Sequence, residues 1–74
     1  MKVLALKRIS DHDKLGKVTE YLIANGQSMG RWTLHFGVHC LADTVDTKGY
    51  IKFQHEDDPD NTEIEEYIIK KMEV

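Results

Sequence analysis

Cysteine is nearly absent, a single Cys40 in 74 residues, so the chain can form no internal disulfide and no multi-cysteine zinc site. Its fold must be held by core packing, and a reducing cytoplasmic setting is expected. Long apolar runs are absent too. The longest near the N-terminus is Val3 to Leu6, bounded by Lys2 and Lys7, too short for a signal sequence core or a membrane span. No repeat, linker or low-complexity tract interrupts the chain. A chain of this size has material for one core, and residues 1–74 are read as a single domain with no room for an enclosed active-site cavity.

What is present is ordinary for a globular protein, with 41% apolar and 31% charged residues. The charge is unevenly placed. Residues 1–37 hold six Lys/Arg against three Asp/Glu, whereas residues 38–74 hold four against ten. The whole-chain balance of −3 opposes a basic nucleic-acid footprint, although the first half alone would allow one.

Pattern and punctuation suggest an order of elements. Lys2 to Ile9 reads as a strand ending at the polar cluster Ser10–Asp13. Ser10 and Asp11 resemble N-caps, Leu15, Val18 and Leu22 recur at helical spacing, and Asn25-Gly26 supplies a stop, so a helix is expected over 11–25. From Arg31 to Leu41, Trp32, Leu34, Phe36, Val38 and Cys40 alternate with polar or small residues, which predicts a strand with Cys40 inward. Residues 43–49 read as a turn, and Tyr50–His55 as the returning strand of a hairpin. Pro59 and its neighbours break that strand. Thr62 and Glu65 have capping-box spacing, and Ile64, Tyr67, Ile68 and Met72 form a stripe for a closing helix. The expected fold class is therefore α+β, a two-layer β-α-β-β-α sandwich with two helices on one face of a three-stranded sheet. This order is similar to that of small RecA-filament modulators of the DinI type, a likeness of topology alone. The alternative is a winged helix-turn-helix, with helices over 14–25 and 28–36, a turn at Gly37 and a wing entered at Lys48–Ile51; its recognition helix would carry Asp43 and Asp46.

The densest chemical signal is acidic. Glu56, Asp57, Asp58, Asp60, Glu63, Glu65 and Glu66 place seven carboxylates in eleven residues. In the first turn of a helix such residues are stabilised by the macrodipole, which accounts for part of the segment without any function. The remainder suits a surface that imitates the phosphate spacing of nucleic acid and docks on a basic partner. The expected function is a small non-enzymatic protein that binds and modulates a larger intracellular protein with a basic site, for instance a nucleic-acid-processing enzyme. The chain itself would be a monomer or homodimer. The alternative is direct nucleic-acid binding through Arg31, Thr33, His35, His39 and Lys52 on the hairpin face, or through the winged helix.

Other constellations are thin. His35, His39 and His55 have no diagnostic ligand spacing. Asp58-x-Asp60-x-Thr62 lacks the glycine and the terminal glutamate of a calcium loop. No serine lies in a nucleophile motif. No metal, cofactor or catalytic residue is expected.

Overall fold

A computed structural model describes residues 1–68. Strand β1, Lys2–His12, runs through the whole molecule. Its first half is buried on both faces, with Leu4 and Leu6 pointing one way and Val3 and Ala5 the other. That double burial is why the run is apolar without alternation. A three-residue turn, Asp13–Leu15, leads into β2, Gly16–Leu22, with Gly16 at φ +74°. Such turns place a left-handed residue where the second strand begins, and glycine takes that conformation without steric cost. The pairing of β1 with β2 is antiparallel, from Lys7 opposite Tyr21 to His12 opposite Gly16.

A short β3, Trp32–Thr33, pairs with Leu22 and Tyr21. The chain then crosses the sheet through a 3-10 turn at Val38–Cys40 and bridges Ala42 to Leu4 by two backbone hydrogen bonds of 2.7 and 3.0 Å. Helix α1, Val45–Asp57, follows, opened by a reciprocal cap between Thr44 and Thr47. Strand β4, Thr62–Ile68, returns antiparallel to β1, giving the order β3-β2-β1-β4. Leu4, Leu6, Leu22, Ala24, Ala42 and Ile51 form the core between sheet and helix, with Trp32, Tyr50 and Ile64 packed against it. On the other face Phe36 lies over Tyr21 and Tyr67, with ring centroids 4.6 and 5.7 Å away.

The molecule is thus a four-stranded antiparallel sheet with one helix, which corrects the expected β-α-β-β-α sandwich of three strands and two helices. Residues 11–25 are not a helix. Val18 and Leu22, four apart, fit both periods while Leu15 lies in the turn; Val18, Thr19 and Tyr21 are strand formers, and Ser10 and Asp11 pair with Val18 and Lys17 instead of capping. This strand removes the winged-helix alternative and the likeness to DinI-type proteins as well. Over 31–41 only Trp32 and Thr33 pair as a strand. Beyond them the backbone serves other donors: the His39 carbonyl accepts from Ala24 and Asn25, and the Asn25 side chain donates to Leu41 at 2.8 Å. Cys40 is buried as expected, but from the 3-10 turn.

The expected turn and strand over 43–55 form α1, and the hairpin face does not exist. Its inward positions, Thr47, Tyr50, Ile51, Gln54 and His55, follow helical spacing, but the polar ones concealed the apolar period. The expected closing helix is β4: Ile64 faces α1, and Tyr67 lies on the opposite face beside Phe36. Thr62 caps no helix; its hydroxyl donates to the Asp58 carbonyl at 2.7 Å. Met72, assigned to that helix, lies outside the described residues.

Gly16 separates the two assignments experimentally. Gly16→Val is expected to cost about 1–2 kcal/mol through its left-handed backbone, with Gly16→Asn costing less. Urea midpoints measure this; a helix over 11–25 would instead be strengthened by losing its glycine.

Candidate protein-binding surface

The fold divides the acidic segment into three environments. Glu56 and Asp57 end α1, and Asp58 is its C-cap. Asp58 and Asp60 belong to the turn that leads to β4. Glu63, Glu65 and Glu66 lie on β4 itself. None of them occupies the first turn of a helix, which corrects the capping role expected for part of the segment. At the end of α1 the macrodipole opposes negative charge, so Glu56 and Asp57 cost stability where they stand.

The acidic turn is internally bonded. The Asp58 N–H donates to the His55 carbonyl at 3.2 Å, and the Asn61 side chain donates to the Asp58 carboxylate at 2.9 Å. Because Thr62 gives its hydroxyl proton to the Asp58 carbonyl, it accepts from His55 Nδ1, 2.8 Å away. Glu56, Asp57, Asp58 and Asp60 are all exposed, and among the described residues none has an ion-pair partner.

Glu65 is different. Lys7 is ion-paired to it and lies 3.6 Å from Glu63, and the Tyr67 hydroxyl also donates to Glu65. The hydrogen bonds from Lys7 and then Tyr67 hold the Glu65 carboxyl below its ordinary value of 4.5. The hydrogen bond to Glu65 likewise holds Lys7 above 10.5 and, with burial, pushes Tyr67 up to about 12. This cluster ties β4 to β1 on the face opposite α1. Glu66 is exposed on the helix side of β4, with no ion pair among the described residues.

The residues named for nucleic-acid binding share no hairpin face, although four of the five lie in one segment around β3. Arg31 precedes β3, Thr33 lies within it, and His35 and His39 occupy the crossing segment. Lys52 is on the exposed side of α1. His55 is likewise separated from His35 and His39, and among the described residues no three His, Cys, Asp or Glu side chains are grouped to hold a metal. The other arginine, Arg8, is committed: it bonds Glu20 at 3.1 Å and lies 4.0 Å over the Trp32 ring. Among the described residues no helix is long and apolar enough to cross a membrane.

Sequence reasoning missed Phe53. It is 66% exposed on the outer side of α1, and Glu56 and Asp57 lie three and four positions on, on the same side. A strand over Tyr50–His55 gives Phe53 no relation to the acids; the helix turns it outward beside them. The open edge of β4 was missed for the same reason. No family model, curated protein or solved structure matches the chain.

The Lys7–Glu65–Tyr67 cluster sets a pH dependence. Glu65, lowered in the folded state, stabilises above about pH 4.5, and that contribution is lost as pH falls through its folded value. Tyr67, raised, stabilises below about pH 10.0, and that contribution is lost as pH rises towards about 12. Phenolate absorbance should show one tyrosine titrating near 12, and Glu65→Gln should bring it down. An unchanged alkaline titration in that variant would show that Glu65 does not hold the Tyr67 hydroxyl.

Proposed function

We propose that the protein is a non-enzymatic binding module that docks on a larger protein through the surface formed by the end of α1 and the acidic turn. Phe53 is the apolar anchor; Glu56, Asp57, Asp58 and Asp60 form the charged surround. The observation that carries this reading is the position of Glu56 and Asp57 at the helix end that disfavours them. Solubility requires no such placement, since acids at the other end would serve it without the penalty. An exposed aromatic beside a group of carboxylates also has the composition of an interaction centre with a steering rim. The complementary partner has an apolar recess bordered by lysines or arginines. Proteins whose surface already receives nucleic acid are the leading class, because such a surface is basic in advance.

The internal bonding of the acidic turn supports the reading, since a turn held in place loses little freedom on binding. The whole-chain charge of −3 favours it over direct nucleic-acid binding.

The reading makes an unusual joint prediction. Glu56→Gln with Asp57→Asn should raise stability by about 0.3–1 kcal/mol per site, through relief at the helix terminus. The same variant, and Phe53→Ser separately, should lose the partner recovered from native lysate and identified by mass spectrometry. Melting curves and recovery are compared with the unaltered chain. Retention of the same partner by both variants would refute the proposal.

A further inference from the structure

Resting on that reading, we infer that the partner contributes an extended basic segment, added as a fifth strand along the outer edge of β4, with two of its cations three residues apart. In the sheet order β4 is terminal, and among the described residues no strand pairs with its outer side. A terminal strand presents a row of backbone donors and acceptors that another chain can pair with.

The carboxylates of β4 decide what can lie there. Glu65 is already engaged by Lys7 and Tyr67. Glu63, on the same face, has a side chain that is 71% exposed and shares the same ammonium only at 3.6 Å. Glu66 is exposed on the opposite face, beside the largely exposed Ile68. The two carboxylates left for a newcomer therefore stand three positions apart in sequence and project to opposite faces of the strand. A second copy of this edge would bring like charges against one another across the pair, which is destabilising. A strand that places one cation opposite Glu63 and another opposite Glu66 is complementary, and its cations must then also be three residues apart, whichever way it runs. A β-branched residue suits the place opposite Ile68. The acidic turn at the start of β4 continues the negative potential and draws a basic chain towards the edge.

The test uses the full chain and labelled extended peptides of one composition, rich in threonine and valine, read by fluorescence anisotropy. Peptides with lysines at i and i+3 should bind about tenfold tighter than those with lysines at i and i+2. Backbone N-methylation of one alternate set of residues in the tighter peptide should abolish binding, and methylation of the other set should leave it, since an added strand uses one of its edges. Glu63→Gln with Glu66→Gln, checked for folding by its melting curve, should erase the spacing preference. Equal binding by all peptides would overturn strand addition while leaving a charge-based acidic surface standing, provided that Glu56→Gln and Asp57→Asn weaken it. Failure of every peptide to bind would also overturn it, as expected if these carboxylates only keep the edge from aggregating. Binding indifferent to Glu56 and Asp57 would count against the parent reading instead.

Discussion

The structure depends on β1 being flanked on both sides and covered on both faces. Its N-terminal half is held by β4 on one side and by Ala42 on the other; its C-terminal half is held by β2. Leu4 and Leu6 require α1, whereas Val3 and Ala5 require cover on the other face, where the segment after β3 crosses. A domain this small buries too little surface to leave either side of its central strand wet. The crossing of residues 34–42 from one side of the sheet to the other follows from that constraint. It delivers Phe36 to Tyr21 and Tyr67, sets Cys40 in the interior and brings Ala42 to Leu4 before α1 begins.

What could be read from the sequence was mostly punctuation and the central strand. The continuous apolar run of β1 is legible because only double burial explains it. The break at Asn25-Gly26 is real, with Gly26 at φ +88°, but a strand and its loop need that conformation as a helix stop does. The break around Pro59 is real too, with opposite elements on its two sides. Periodicity failed where it rested on few residues: Val18 and Leu22 are four apart and belong to the same face of a helix or of a strand. In α1 the inward face is largely polar, and the Thr44–Thr47 cap is a pair of threonines without the glutamate that usually signals a helix start. The alternation over 32–40 was visible, but alternation cannot report whether a partner strand is there to pair with.

The acidic segment was found by composition and misread by position. Composition shows that carboxylates are crowded; only the elements show what each is doing. Glu65, expected as the capping-box partner of Thr62, instead has two hydrogen-bonding partners in Lys7 and Tyr67. Glu56 and Asp57, which a helix beginning at Thr62 leaves outside its first turn, stand at the C-terminus of α1 and oppose its dipole. Reversing the order of helix and strand around Pro59 therefore gives these two an unfavourable local electrostatic contribution, which leaves no explanation of them by local stability.

The same reversal joins two features that appear separate. An open sheet edge invites pairing by any extended chain, and charge on it is the usual defence. Charge of one sign is a selective defence: it repels a copy of itself and other acidic strands, yet attracts a basic one over several ångströms of solvent. Discrimination between partners is a difference of free energies, so repulsion of the wrong strand contributes as much as attraction of the right one. In β4 the division of labour is visible in single residues. Glu65 is internally neutralised by Lys7 and fastens the edge to β1, whereas Glu63 and Glu66 leave it negative on both faces. A strand that is only protected would need no such asymmetry, since any charge would serve. Asp58 of the preceding turn, held by Asn61 and Thr62 rather than by a cation, extends the same potential towards Phe53 on the helix. Edge, turn and helix end then form one negative margin that borders the exposed Phe53.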